Sequence, residues 1–163
     1  MAFSSTNTAG IPPGKGKKFG IVVSKYHKEI TERLLTGATE LLKKHGTNAV
    51  DIFVRYAPGA FELPLMANRL FDKENVLGII CLGCVIKGET DHNHYINQAV
   101  ANALLTLSMK RNKPVLFGII TPNNREEALA RAGGKQGNKG EECAIALLKM
   151  TADDDENKPA IGF

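Results

Sequence analysis

Four short apolar runs, rich in β-branched residues, recur along the chain and are separated by longer segments with helical spacing. The runs are residues 19–23, 50–54, 76–86 and 114–120. Their nearly continuous apolar character is typical of strands buried in a parallel sheet. After the first run, apolar residues recur at steps of three and four over residues 30–42, and His45 with Gly46 then predicts a helix end.

Helical spacing also follows each later run. Pro64 is typical of the first turn of a helix, and residues 96–107 carry a long apolar stripe. Residues 124–127 have the form of a capping box, and a last helix follows the glycine-rich link at residues 133–140. Strands that alternate with helices form a parallel sheet covered on both faces. The sequence therefore predicts an α/β fold, a flavodoxin-like three-layer α/β/α domain with a central parallel four-stranded sheet.

The composition fits one domain, because 163 residues, 43% of them hydrophobic, can bury a single core. We expect a flexible N-terminal arm at residues 1–18, a single domain at residues 19–150 and an acidic C-terminal tail at residues 151–163. No apolar stretch approaches the roughly 18 residues needed to cross a bilayer, and the arm lacks the apolar segment of a secretory signal. The three cysteines, an odd number, form no disulfide framework, so we expect a cytoplasmic protein without a membrane partner.

Charge and motifs argue against several partners and cofactors. The net charge is +4, but the basic residues are spread along the chain and there is no Trp, which is a poor footprint for nucleic acid. The glycine motifs of dinucleotide and nucleoside triphosphate sites are missing. Cys81 and Cys84 form a C-x-x-C pair, but residues three apart in a strand point to opposite faces. His92 and His94 are about 200° apart on a helix and cannot share an ion, so we expect no metal.

The loops that follow the four predicted strands are the places to search for a site, because ligands of open parallel sheets bind beyond the carboxyl ends of the strands. The loop at residues 87–92 has the richest chemistry. Gly88 permits a close turn, and Thr90 can cap the next helix, so free amide groups would suit a phosphate there. His92 would lie in the first helical turn, either as a proton carrier near neutral pH or as a solvent-facing side chain.

Residues in the other loops suit a flat, polar heterocycle. Tyr26 offers an aromatic face and Glu62 an acceptor, although each could equally have a structural role in the core or at a helix start. Arg131 and Lys139 flank the glycine-rich link, and both are phosphate-binding residue types. They lie beyond the last strand, so binding the same phosphate would require a neighbouring subunit to supply them.

Taken together, these loops resemble the lumazine synthase family over residues 11–150. The resemblance is carried by four motifs in family order, at residues 20–23, 58–64, 82–92 and 131–140. It implies an enzyme of riboflavin biosynthesis that condenses 5-amino-6-(D-ribitylamino)uracil with 3,4-dihydroxy-2-butanone 4-phosphate, releases phosphate and water, and needs no cofactor. The alternatives are an archaeal-type riboflavin synthase and a non-catalytic module that binds a flavin or phosphate.

The resemblance also implies a role for individual residues. His92 would be the proton-transfer residue. The pyrimidine ring and ribityl chain would contact Tyr26, Ala60, Phe61, Glu62, Cys84, Val85, Ile86 and, from an adjacent subunit, Phe117. The phosphate would contact Gly88, Glu89 and Thr90 and, across the same interface, Arg131 and Lys139. Its partners would thus be two small molecules and other copies of the chain, in pentamers and, given the short link at residues 133–140, a shell of sixty subunits.

Three positions depart from the family pattern. Tyr26 stands where Phe or Trp is usual, and His27 stands where Asn is common. Ala130 stands where an acidic residue often precedes the arginine, so Arg131 lacks one possible orienting partner.

Overall fold

A computed structural model describes residues 9–156 and the side chains of residues 9–152. Its centre is a parallel sheet of four strands: β1 (Phe19–Ser24), β2 (Ile52–Ala57), β3 (Gly78–Cys84) and β4 (Val115–Ile120). The strand order is β2-β1-β3-β4, so β1 and β3 are central. Both central strands are buried along their whole length, as their continuous apolar sequence predicts.

Five helices accompany the sheet: α1 (Lys28–Lys44), α2 (Leu63–Lys73), α3 (His92–Arg111), α4 (Arg125–Arg131) and α5 (Lys139–Glu156). Each face of the sheet is covered by its own buried apolar cluster. Side chains of α1 and α5 pack with Ile21 and Leu82 on one face, and those of α2 and α3 pack with Val22 and Cys81 on the other. The predicted three-layer α/β/α fold is therefore confirmed.

The second strand begins later than its apolar run predicts. Residues 49–51 form a 3₁₀ turn, and Val50 is 82% exposed. The strand instead pairs with β1 from Ile52 onward, opposite Phe19, and continues through Arg55 and Tyr56. Because β2 lies at the sheet edge, its polar side chains reach solvent and partners, and Arg55 forms an ion pair of 3.2 Å with Glu74. The prediction of a strand at residues 50–54 was therefore wrong in its bounds, because the strand begins at residue 52 and ends at residue 57.

The signals at helix ends were more accurate. Helix α1 ends at Lys44, and the N–H of Thr47 donates to the Leu42 carbonyl at 3.0 Å. Gly46 has a φ of 97°, the left-handed conformation that this helix end requires. At α4, the Asn124 side chain accepts from the Glu127 N–H, as the capping motif predicts.

The glycine-rich link contains a small hairpin that the sequence analysis did not predict. Strands β5 (Ala132–Gly134) and β6 (Gly137–Asn138) pair in antiparallel fashion between α4 and α5. Gly133 and Gly137 have φ values of 93° and 82°, which side chains other than glycine rarely adopt. The hairpin fixes the end of α4 relative to the start of α5.

Packing and helical structure occur on both sides of residues 19–150. In the described part of the predicted arm, Ile11 packs against the core and the N–H of Gly14 donates to the His45 carbonyl at 2.8 Å. Helix α5 continues to Glu156, and Thr151 is buried. Residues 1–8 and 157–163 lie outside the described residues. No helix within residues 9–156 has the length and apolarity to span a membrane.

Candidate active site

The carboxyl ends of β1, β2 and β3 open into a cleft of about 380 Å³, here named the His92 cleft. Three post-strand loops and the first turns of α3 form its wall. The lining residues are Tyr26, His27, Gly59, Ala60, Phe61, Glu62, Cys84, Val85, Ile86, Gly88, Thr90, His92, Asn93 and Ile96. The fold thus brings together most of the residues predicted to contact the ring, the ribityl chain and the phosphate. The predicted residues outside this cleft are Glu89, Phe117, Arg131 and Lys139.

Backbone hydrogen bonds hold these loops side by side. The N–H of Lys25 donates to the Ala57 carbonyl at 2.9 Å and joins the first two loops. The N–H of Val85 donates to the Ile120 carbonyl, also at 2.9 Å, and extends the pairing of β3 with β4 into the third loop. The cleft therefore has a wall whose shape is set by the sheet.

Two aromatic rings stand at the cleft with most of their surface free. Tyr26 is 68% exposed and Phe61 is 60% exposed. Glu62 ends the 3₁₀ turn Ala60–Glu62, and a Cβ atom at Gly59 would lie only 3.1 Å from its Oε2. The carboxylate therefore lies against Gly59, and both residues line the cleft together with Phe61. Exposed ring faces beside an acceptor can bind a flat molecule with polar edges.

The third loop presents unpaired amide groups, as predicted. Within the described residues, the N–H groups of Gly88, Glu89 and Thr90 donate to no acceptor. Space around Gly88 is open, since a Cβ atom there would meet nothing within 4 Å. His92 is the first residue of α3 and is exposed. Amide donors at a helix start can bind an anion beside this imidazole.

Thr90 does not cap α3 in the predicted way. Asp91 occupies the N-cap position, and its side chain makes no capping hydrogen bond. The Thr90 hydroxyl instead accepts from the N–H of His92 at 3.5 Å. The chain turns between these two residues, so the threonine lies one position too early to cap the helix.

His27 is a cleft residue whose backbone is unusual. It precedes α1 with a φ of 55°, and its ring meets the Tyr26 ring edge-on with centroids 4.7 Å apart. Partial burial, together with the positive charge of Arg125, lowers the pKa of His27. Arg125 is itself ion-paired with Glu29. Both effects favour the neutral form of the imidazole, which lies beside the ring predicted to stack.

Arg131 and Lys139 line a separate cleft of about 350 Å³, here named the Arg131 cleft. It lies past the carboxyl end of β4, and its lining residues are Ile119, Ile120, Thr121, Pro122, Glu127, Arg131, Gln136 and Lys139. None of these residues lines the His92 cleft. The predicted phosphate residues thus fall in two groups within one chain.

Phe117 belongs to neither cleft. It lies in the middle of β4, opposite Cys81, and its partly buried ring packs against the α2 and α3 cluster. Because β4 is an edge strand, Phe117 lies at the border of the sheet.

The three cysteines are buried and free of disulfides. Burial raises the pKa of each thiol, to about 11 for Cys84 and Cys143 and further for Cys81. Cys81 and Cys84 belong to different core clusters, which confirms that they point to opposite faces of the sheet. Protonated thiols are poor nucleophiles and metal ligands, so Cys84 contributes shape to the cleft.

Several residues that line or adjoin these clefts were not predicted from the sequence. Asn93 and Ile96 line the His92 cleft from α3, where Asn93 could have been found from its place one residue after His92. Glu142 was also missed, although its Oε2 atom lies 3.9 Å from Arg131 and 3.1 Å from Lys139. It supplies Arg131 with the acidic partner that Ala130 does not provide.

Comparison with known proteins identifies the family. The family model described as 6,7-dimethyl-8-ribityllumazine synthase matches residues 16–153. A protein of that name from Cytophaga hutchinsonii is 49% identical over 148 residues, which are 91% of this chain and 93% of the relative. One from Bacteroides fragilis is 47% identical over 133 residues, 82% and 93% of the two chains. One from Lactiplantibacillus plantarum is 43% identical over 136 residues, 83% and 86% of the two chains. The chain belongs to the 6,7-dimethyl-8-ribityllumazine synthase family, as the resemblance of its four motifs predicted.

Proposed function

We propose that this protein is a 6,7-dimethyl-8-ribityllumazine synthase of riboflavin biosynthesis. It condenses 5-amino-6-(D-ribitylamino)uracil with 3,4-dihydroxy-2-butanone 4-phosphate and releases phosphate and water. The observation that carries the proposal is the His92 cleft of a chain in this family, where two exposed aromatic rings, a carboxylate, unpaired amides and an imidazole converge. This set matches a flat polar ring on one side and a phosphorylated small molecule on the other.

In the proposed reaction, the cleft positions two reactive molecules. Tyr26 stacks on the pyrimidine, Glu62 accepts hydrogen bonds from its polar groups, and residues 84–86 form the wall along the ribityl chain. The amides at residues 88–90 hold the phosphate. The 5-amino group of the uracil then attacks the ketone and forms an imine with loss of one water. Phosphate is eliminated, the resulting enol tautomerises to a carbonyl, and the ribitylamino nitrogen attacks that carbonyl and closes the second ring with loss of a second water.

His92 moves protons in these steps, because it is exposed beside the anion-binding amides at the start of α3. Orientation supplies a large part of the acceleration. When two reactive molecules are bound in attack geometry, their translational and rotational entropy has already been lost before the reaction, so the barrier is lower. The role of His92 is therefore helpful but not indispensable.

We further propose that each complete site is shared by two subunits. The His92 cleft of one subunit faces Phe117 and the Arg131 cleft of its neighbour. The position of Phe117 on an edge strand supports this arrangement. So does the apolar surface of α3, where Tyr95, Leu105 and Met109 are exposed although the opposite side of the helix is buried. Such a surface favours contact with another chain.

The assembly that we propose is the pentamer, built further into a shell of sixty subunits in the cytoplasm. Light scattering of purified protein distinguishes the two sizes. Detection of free pentamers alone would contradict the shell but not the proposal that neighbouring subunits share each site.

The first experiment mixes purified protein with both substrates and follows lumazine fluorescence. The parent protein should form lumazine, whereas His92→Ala should lose up to about a hundredfold in kcat and keep measurable turnover. His94→Ala is the matched control, because His94 is exposed two residues further along the same helix. Riboflavin formed from two lumazine molecules would indicate the riboflavin synthase alternative, and binding without turnover would indicate a non-catalytic module.

The second experiment tests the shared site by complementation. His92→Ala and Arg131→Ala subunits are purified apart, unfolded, and refolded together. If one site takes its residues from two subunits, some interfaces of the mixed assembly join an intact His92 to an intact Arg131, and activity rises above that of either variant refolded alone. Activity equal to the average of the two variants would refute the shared site.

A further inference from the structure

The two cations of the Arg131 cleft share one carboxylate oxygen. Oε2 of Glu142 accepts from the Lys139 ammonium at 3.1 Å and lies 3.9 Å from the Arg131 guanidinium. Glu142 is the least exposed of the three, at 13%. The carboxylate is therefore largely shielded from water and its charge lies against both cations.

The surroundings hold this arrangement in place. Lys139 and Glu142 are three residues apart in the first turn of α5, and Arg131 is the last residue of α4. The β5–β6 hairpin joins the two helices. The Nε atom of Arg131 is buried and lacks a hydrogen-bond partner among the described residues, so the guanidinium is only partly satisfied by Glu142.

The cleft is consequently less cationic than its two basic residues suggest. Glu142 and Glu127 balance the charges of Arg131 and Lys139, and Glu127 is engaged with Asn123, whose N–H lies 2.8 Å from its Oε2. Glu127 lines the cleft itself, whereas Glu142 lies behind its wall and is the acid in contact with both cations, so its charge opposes an anion that binds to them. A negative charge a few ångströms from a phosphate dianion weakens binding considerably, even in a medium close to water.

We infer that Glu142 is a counter-charge that keeps phosphate binding in the Arg131 cleft weak, so that the inorganic phosphate released in the reaction leaves. This inference rests on the proposed function, in which the phosphate held by the amides of one subunit faces the Arg131 cleft of its neighbour. Glu142 is a positioning residue here, because it acts through Arg131 and Lys139. The net effect of its charge is to raise the dissociation constant for phosphate.

The test measures inorganic phosphate binding by calorimetry, without turnover. Glu142→Gln keeps the shape and an acceptor for Lys139 but removes the charge, so it should bind phosphate about five- to tenfold more tightly than the parent protein at low salt. Glu142→Asp shortens the side chain by one methylene and moves the charge away from the cations, so its affinity for phosphate should lie between that of the parent protein and that of Glu142→Gln. Adding sodium chloride should shrink the differences.

Two controls fix the location of the effect. Glu141→Gln makes the same charge change in the same helical turn, but Glu141 lines a groove on the α1 side, so it should leave the dissociation constant unchanged. Arg131→Ala in the Glu142→Gln background should abolish the gain. Equal or weaker phosphate binding by Glu142→Gln, an equal gain in Glu141→Gln, or a gain that survives the loss of Arg131 would overturn the inference.

Kinetics separate this inference from the proposed function. With both substrates, Glu142→Gln should lower the KM for the phosphorylated substrate without raising kcat, and inorganic phosphate should inhibit it more strongly. If no lumazine forms and phosphate binding still tightens, the proposed reaction fails and the inference stands. If lumazine forms and the binding of phosphate by Glu142→Gln does not tighten, the proposed reaction stands and the inference about Glu142 fails.

Discussion

Asn138 links the hairpin and the start of α5 to α1 by hydrogen bonds, in addition to the apolar packing of the two helices, and replacing it should loosen the Arg131 cleft. Its side chain is 8% exposed and donates from Nδ2 to the Arg33 carbonyl at 2.9 Å. Its Oδ1 accepts from the Gly140 N–H at 2.8 Å, which caps the start of α5. A Cβ atom at Gly37 would lie 2.5 Å from this carboxamide, so the group is packed directly against α1.

The magnitude of the effect follows from these contacts. Loss of a helix cap costs about 1 kcal/mol, and loss of the bond to the Arg33 carbonyl costs about 1 kcal/mol more. The buried N–H of Gly140 is then left without its acceptor, so Asn138→Ala should lose about 2–3 kcal/mol in total. For a domain of this size that corresponds to a fall of about 4–12 °C in Tm.

Thermal unfolding followed by circular dichroism, at one fixed protein concentration, measures this change. Asn48→Ala is the control, since among residues 9–156 the Asn48 side chain makes only an exposed hydrogen bond of 3.4 Å, to Asp51. It should change the stability by less than about 0.5 kcal/mol. A Tm for Asn138→Ala within about 2 °C of that control would refute the argument that the carboxamide fastens α5 to α1.

Three further predictions follow from burial and packing. Burial raises the pKa of the thiols of Cys81, Cys84 and Cys143 and keeps them protonated at pH 8. At this pH they should resist alkylation in the folded protein and react only after unfolding in urea. The pKa of His27 is lowered from 6.5, by burial first and Arg125 second, so its contribution to stability is present above pH 6.5 and is lost as the pH falls through the lowered value. Urea unfolding should therefore show His27→Asn gaining stability relative to the parent between pH 7 and pH 5, and a constant difference would contradict this. A Cβ atom at Gly140 would lie 2.0 Å from the Leu34 carbonyl oxygen, so Gly140→Ala should lower Tm, whereas Gly88→Ala, in open space, should not.

The parts of the fold that the sequence could predict are those with a repeated pattern. The buried strands β1 and β3 are continuous apolar runs, and the end of α1 carries a glycine that the helix end needs. The start of β2 was missed because an apolar run does not reveal where pairing begins, and Val50 is exposed in spite of its side chain. The β5–β6 hairpin was missed because its glycines leave no alternation of apolar and polar residues.

The part of the candidate site that lies at the ends of the strands was also predictable from the sequence. The carboxyl ends of parallel strands meet at one edge, so loops that are distant in sequence, such as those of Tyr26, Phe61 and His92, come together. Glu142 could not be found in this way. An acidic residue in the first turn of a helix is expected merely from the helix dipole, and only the fold shows that Glu142 contacts Arg131.

The division of the phosphate residues between two clefts has a physical consequence for activity. Within one chain the amides of residues 88–90 have no acceptor among the described residues, and the guanidinium of Arg131 is only partly paired. A phosphate placed between two subunits would satisfy both groups, so substrate and interface should stabilise each other. Because Asn138 and Gly140 pack the hairpin against α1, the two cations are held in their own subunit, so the proposed shared site requires the neighbour to bring its amides to them. Under the proposed function, activity should consequently fall with the assembly when the protein is diluted, and the phosphorylated substrate should restore both.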